Sequence, residues 1–213
     1  MIRITREGET ISFNTKAITS IACEKDDETD KYKLYIKMVR STGTVVFECD
    51  DSNTAKKLFE NVAKQIEEDR MLIPSDRDTN MILNPRFVTK ITLHKSSDKN
   101  ACHVIFETVN TLDSHVITYD TIEKGQELFE QCIEDIEQID NEAKFVKVEE
   151  NNDEIIAINI KFVTSITCER NTEENNWCVE IGSVHSIFPD KFTFETEDEA
   201  KQFFQNILEQ LRD

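Results

Sequence analysis

Ile11-Ser12-Phe13-Asn14-Thr15-Lys16-Ala17-Ile18-Thr19-Ser20-Ile21 is the stretch on which the fold turns, because the chain returns to its pattern twice. The pattern comes back as Met81-Ile82-Leu83-Asn84-Pro85-Arg86-Phe87-Val88-Thr89-Lys90-Ile91 and as Ile156-Ala157-Ile158-Asn159-Ile160-Lys161-Phe162-Val163-Thr164-Ser165-Ile166. Each version runs from an apolar stretch into Asn, with a basic residue two positions on. The asparagines, Asn14, Asn84 and Asn159, lie 70 and then 75 positions apart. The same offsets keep Thr19, Thr89 and Thr164 in step, then Ile21, Ile91 and Ile166. They also align Val39, Val109 and Val184, and Phe59, Phe129 and Phe204. Fixed spacing with matching residue types is the mark of tandem repetition. We therefore read three copies of one unit, at 1–76, 77–144 and 145–213, packed together.

Working outward, each copy has the pattern of an antiparallel sheet closed by one helix. Asn suits the turn after the first strand, because its side chain hydrogen-bonds nearby backbone. Two strands follow the turn strand, alternating in period two: Leu34, Ile36 and Met38, then Phe47 and Cys49 in the first copy. Such alternation marks a sheet with one buried face. Asp51, Thr121 and Thr196 then stand as N-caps, and Glu199 completes a capping box with Thr196. Apolar stripes spaced i, i+3, i+4, i+7 predict helices over 52–68, 122–139 and 197–211, each laid on its sheet. The expected fold class is α+β, three tandem β-β-β-β-α repeats. Met71 to Ile73 and Phe145 to Val148 also alternate, as Ile2 and Ile4 do, which leaves room for an extra first strand in each copy.

This pattern, apolar-x-apolar-Asn followed by Ile-x-x-Ile, two alternating strands and a capped helix with a central Phe, resembles small single-domain bacterial and phage proteins of unknown function. In layout alone it is similar to PUR repeats and Whirly-type binders of single-stranded nucleic acid. Neither resemblance supplies a chemical motif to transfer, and fold does not fix function.

Composition narrows the classes. There are 25 basic against 43 acidic residues, a net charge of −18. A field of that sign repels phosphate backbones and anionic membranes and favours basic partners. The 13 Phe point to packed cores. No apolar stretch approaches the ~18 residues of a spanning helix, and the first residues alternate instead of forming a signal peptide. The six Cys, with no C-x-x-C pair, read as small buried hydrophobes in a reducing compartment. The expectation is a cytoplasmic protein that does not enter a membrane.

Catalytic sets are not evident. The four His occupy no equivalent positions, and the acidic loop Glu24 to Asp30 lacks the Gly and terminal Glu of a Ca²⁺ loop. Phosphate loops and nucleophile elbows are missing as motifs. We expect no enzyme, no metal and no cofactor.

One patch has a binding character. Lys31, Lys33, Lys37 and Arg40 interleave with Tyr32 and Tyr35, and on a strand Lys33, Tyr35 and Lys37 share the face opposite Leu34 and Ile36. Charge for phosphates and rings for bases is how single strands are held. The other copies carry His103, Ile105, Glu107 and Cys178, Glu180, Gly182 there, so a solvated outer face is the plainer reading. Phe188 reads as a local staple, with an exposed contact as the alternative, and Trp177 as core. The leading expectation is a non-enzymatic interaction or scaffolding protein with a protein partner, one that is basic. Single-strand binding through the first copy and acidic mimicry of nucleic acid are the alternatives, and a homo-oligomer stays open.

Overall fold

Asparagine sets the geometry from which the rest follows. In a computed structural model, which describes residues 2–211 except 7–8, 27, 40–43, 67–69, 74–79, 97–99, 110–113, 151–152, 173 and 185–187, each recurrent Asn caps a single 3-10 turn. Asn14, Asn84 and Asn159 accept, through Oδ1, from the backbone N–H of Lys16, Arg86 and Lys161 at 3.1, 3.3 and 3.2 Å. The recurrent valines close the same corner: Val39, Val109 and Val184 donate their N–H to the carbonyls of Ala17, Phe87 and Phe162.

Around these corners the chain is mixed α+β. A hairpin, β1 (Ile2–Arg6) and β2 (Glu9–Phe13), leads through the first turn to β3 (Ile18–Lys25), β4 (Tyr32–Met38), β5 (Val45–Cys49) and α1 (Ser52–Lys64). The second block has β6 (Met71–Ile73), β7 (Asn80–Leu83), β8 (Val88–Lys95), β9 (Cys102–Thr108), β10 (His115–Tyr119) and α2 (Ile122–Ile139). The third has β11 (Phe145–Glu150), β12 (Glu154–Asn159), β13 (Val163–Asn171), β14 (Asn176–Ser183), β15 (Asp190–Phe194) and α3 (Glu197–Gln210). Each block thus has five strands, where the β-β-β-β-α reading counts four. The short alternating stretches before the Asn corners are the additional strands.

The sheets do not follow the blocks. One five-stranded sheet runs β5-β4-β3-β7-β6 and another β10-β9-β8-β12-β11, all antiparallel. The hairpin that opens the second block therefore completes the sheet of the first, and the hairpin of the third completes that of the second. A boundary at 76/77 falls inside the β6–β7 hairpin. Among the described residues β1–β2 forms a two-stranded sheet of its own, and β13-β14-β15 a three-stranded one.

Each hairpin has two working faces because side chains alternate along a strand. Met71, Ile73, Met81 and Leu83 join the core under α2, while Ile82 faces the core under α1. Val146, Val148, Ile156 and Ile158 join the core under α3, while Ala157 and Phe145 face that of α2. The helices close these cores through their apolar stripes. Asp51, Thr121 and Thr196 each cap the N–H three residues on, and the Thr196–Glu199 capping box is complete. Phe129 is fully buried and Phe59 nearly so, whereas Phe204 is only partly covered. Trp177 packs against the third core. Phe188 is 79% exposed.

Candidate functional site

The basic and aromatic patch lies on β4 and at its start. Leu34 and Ile36 are fully buried under α1, so Lys33, Tyr35 and Lys37 occupy the opposite face. That face is not an open one: Lys37 is 7% exposed. Its cover comes from the second block. β7 extends the sheet beside β3, and β10 comes within reach of β4 across a cleft of about 390 Å³. Glu24, Tyr35, Lys37, Thr44, Ser114 and His115 line this cleft.

The other cations are matched by acids. Lys33 is paired with Asp26. That hydrogen bond pulls the Asp26 carboxyl down to about 2 and raises the Lys33 ammonium above its usual range. Lys31 lies 3.6 Å from Asp50 and 3.9 Å from Glu48. Burial, and after it the charge of Glu24, raises the Tyr35 phenol. Arg40 is outside the described residues. The structure thus brings Tyr35 and Lys37 together at a junction between blocks, and it replaces the solvated outer face with a partly covered one.

Within the same junction Ser20 Oγ and His115 Nε2 are 2.5 Å apart and buried. Burial, helped by the charge of Lys37, depresses His115 to about 3, so the ring is neutral near pH 7. A base that weak is a poor proton acceptor at neutral pH, and Ser20 is only 1% exposed. The pair therefore acts as a clasp between strands.

The second junction has a clasp in the same place. Lys90 Nζ lies 2.8 Å from Asp190 and 2.9 Å from Glu107. Burial opposes the charge on Lys90, but these two hydrogen-bonded carboxylates outweigh it and the ammonium is raised overall. Lys90 is displaced from Ser20 by 70 positions and Asp190 from His115 by 75, the offsets of the Asn corners. Taken singly, His115 and Asp190 share no chemistry, so their common position carries no signal. The signal was in the pair: hydroxyl with imidazole at one junction, ammonium with carboxylate at the other.

The remaining candidates resolve into local structure. Asp26 Oδ1 accepts from the N–H of Glu28 and Thr29, and Lys25 pairs with Asp30, so the acidic loop is closed upon itself. Asp30 and Asn175 hold the left-handed backbone that Asp and Asn tolerate. Cys23, Cys49, Cys102, Cys132 and Cys178 are buried free thiols, and burial raises Cys23 to about 11 and Cys132 to about 12. His94 and His103 are stacked cross-strand neighbours. Among the described residues no three His, Cys, Asp or Glu converge as a metal set, and no helix is long and apolar enough to cross a membrane. The chain matches no protein-family model, no curated protein and no solved structure at a significant level.

Proposed function

We propose that the chain is a non-enzymatic interaction module of three tandem, divergent repeats, each a hairpin, a three-stranded sheet and a helix. The observation that carries this reading is the joint between repeats. β7 and β12 each complete the sheet of the repeat before them. Buried and partly buried polar groups clasp these joints, while the outer surfaces diverge.

The divergence is chiefly one of charge. Residues 1–76 hold 12 basic and 15 acidic residues, 77–144 hold 7 and 13, and 145–213 hold 6 and 15. α3 opens with Glu197, Asp198 and Glu199 and has no basic residue in its last turn. A graded acidic surface on a rigid repeated core favours a basic protein partner over phosphate. The single-strand reading needs an open basic face, and Lys33, Lys37 and Lys31 are engaged or covered as described.

The test is affinity capture from native lysate, with and without nuclease, beside titration of a labelled single-stranded oligonucleotide. A protein retained after nuclease and released by moderate salt is the expected result. Direct, salt-sensitive oligonucleotide binding that Lys31→Ala removes would restore the nucleic-acid reading.

A further inference from the structure

The two inner joints are built alike. At the first, Ser20 stands opposite Leu83, Ile21 opposite Ile82 and Ala22 opposite Met81. At the second, Lys90 stands opposite Ile158, Ile91 opposite Ala157 and Thr92 opposite Ile156. Every pair is carried over by the same offsets. The corner asparagines lock both joints: Asn84 Nδ2 donates to the Ile18 carbonyl at 3.2 Å, and Asn159 Nδ2 to that of Val88 at 3.0 Å.

Half of one joint is left over at β1–β2 and the other half at β13. Among the described residues β13 is paired with β14 alone, and β1 and β2 only with each other. Both halves expose what the joint buries elsewhere. Asn14 is exposed, while Asn84 and Asn159 are 4% and 0% exposed. Ile11 is 38% exposed, while Met81 and Ile156 in the same place are 1% and 8%. On the other half Ile166 and Cys168 are partly uncovered, while Ile21, Cys23, Ile91 and Leu93 are at most 3% exposed. The side chains match those of the second joint, though not Ile82 and Leu72 of the first. On the joint-facing side of the hairpin, Ser12 replaces the small Ala157, and Arg3 replaces the basic Lys147.

We propose that the β1–β2 hairpin of one copy docks on β13 of a second copy. The register is that of the inner joints: Phe13 opposite Ser165, Ser12 opposite Ile166, Ile11 opposite Thr167, with Asn14 Nδ2 donating to the Val163 carbonyl. An unpaired strand edge is a template for such pairing. The contact is head to tail, so each added copy offers a fresh half-joint, and growth continues unless the rotation closes a ring. The clasp position would bring Ser165 against Val45, with neither a hydrogen bond nor an ion pair. The outer joint is therefore weaker than the inner ones and reversible. This inference rests on the repeat reading above.

Sedimentation of the full chain over a concentration series, at physiological ionic strength, tests it. The mass average is expected to rise above one chain with concentration. Asn14→Asp keeps the acceptor for Lys16 N–H but sets an oxygen against the Val163 carbonyl, and is expected to weaken association about tenfold or more. Mixing Ser12→Cys with Ile166→Cys chains under mild oxidation should give a linked pair, and Ile11→Cys with Ile166→Cys should not. A chain that stays single throughout overturns the proposal, as does association indifferent to Asn14→Asp. Asn159→Asp separates the two readings: if it destabilises the fold while the chain stays single, the repeats stand and self-docking falls. If it costs nothing, the joint itself is misread and both fall.

Discussion

Asn14, Asn84 and Asn159 are the same residue in two degrees of commitment. Each caps its own turn, but only Asn84 and Asn159 also bond a neighbouring strand from a buried position. Losing a cap costs ~1 kcal/mol, and stranding a buried carbonyl adds ~1–3 kcal/mol. We expect Asn159→Ala and Asn84→Ala to lower the urea midpoint markedly and Asn14→Ala only slightly, measured in dilute protein. Equal losses at all three would mean that the joint bond contributes nothing. His115 provides a pH test. Its folded value of about 3 lies below the ordinary 6.5. Between the two values the unfolded chain binds a proton that the folded chain does not, so stability falls as pH drops below about 6.5. Wild type should lose about 1.5 kcal/mol more than His115→Gln between pH 6.5 and 5. Parallel urea-midpoint profiles would contradict the burial of a neutral ring. The recurrence of Asn could be read directly from the sequence. The covering of Lys37 could not, because alternation tells which face a residue takes and not what lies over that face.

At the scale of elements, one aligned position of the helices holds alanine with one exception. Ala55, Gly125 and Ala200 share a position on the three helices, and all three face the cores. Gly125 is the exception because Cys102 fills the space: a Cβ there would lie 2.0 Å from Cys102 Sγ. Helix propensity alone favours Ala by ~1 kcal/mol. Overpacking costs ~1–3 kcal/mol, so Gly125→Ala should destabilise despite its better propensity. Adding Cys102→Ala should turn that loss into a smaller one than the two single changes sum to, in a double-mutant cycle read by thermal unfolding. Simple additivity would show that the two side chains do not meet. The central phenylalanines differ in the same way. Phe129→Ala should cost ~3–5 kcal/mol, and Phe204→Ala clearly less, since only the former is fully enclosed. Helix positions, caps and stripes were legible because they are local. The Cys102–Gly125 fit was not, because it joins strand to helix across the core.

For the whole molecule, the strands that close one sheet belong to the next stretch of chain. Periodicity gives the strands themselves, and β6 and β11 are visible as short alternating runs. Pairing partners are not written in periodicity, so dividing the sequence at 76/77 cut a hairpin that holds two cores together. Shared sheets make neighbouring units interdependent. Heating should therefore give one calorimetric transition, and Ile36→Ala in the first core should lower the same transition as Val179→Ala in the third. Two resolved transitions, each answering to one substitution, would show that the cores melt independently.

The interleaving also has a consequence in time. As the chain leaves the ribosome, β3 ends at Lys25, but the strand that covers its far edge ends at Leu83. At synthesis rates of ~5–20 residues per second, that edge waits ~3–12 s for its neighbour. The wait recurs at β8, which ends at Lys95 and is covered by a strand ending at Asn159. Folding during synthesis thus runs one unit behind translation, and an unfinished chain always carries an uncovered strand near its growing end.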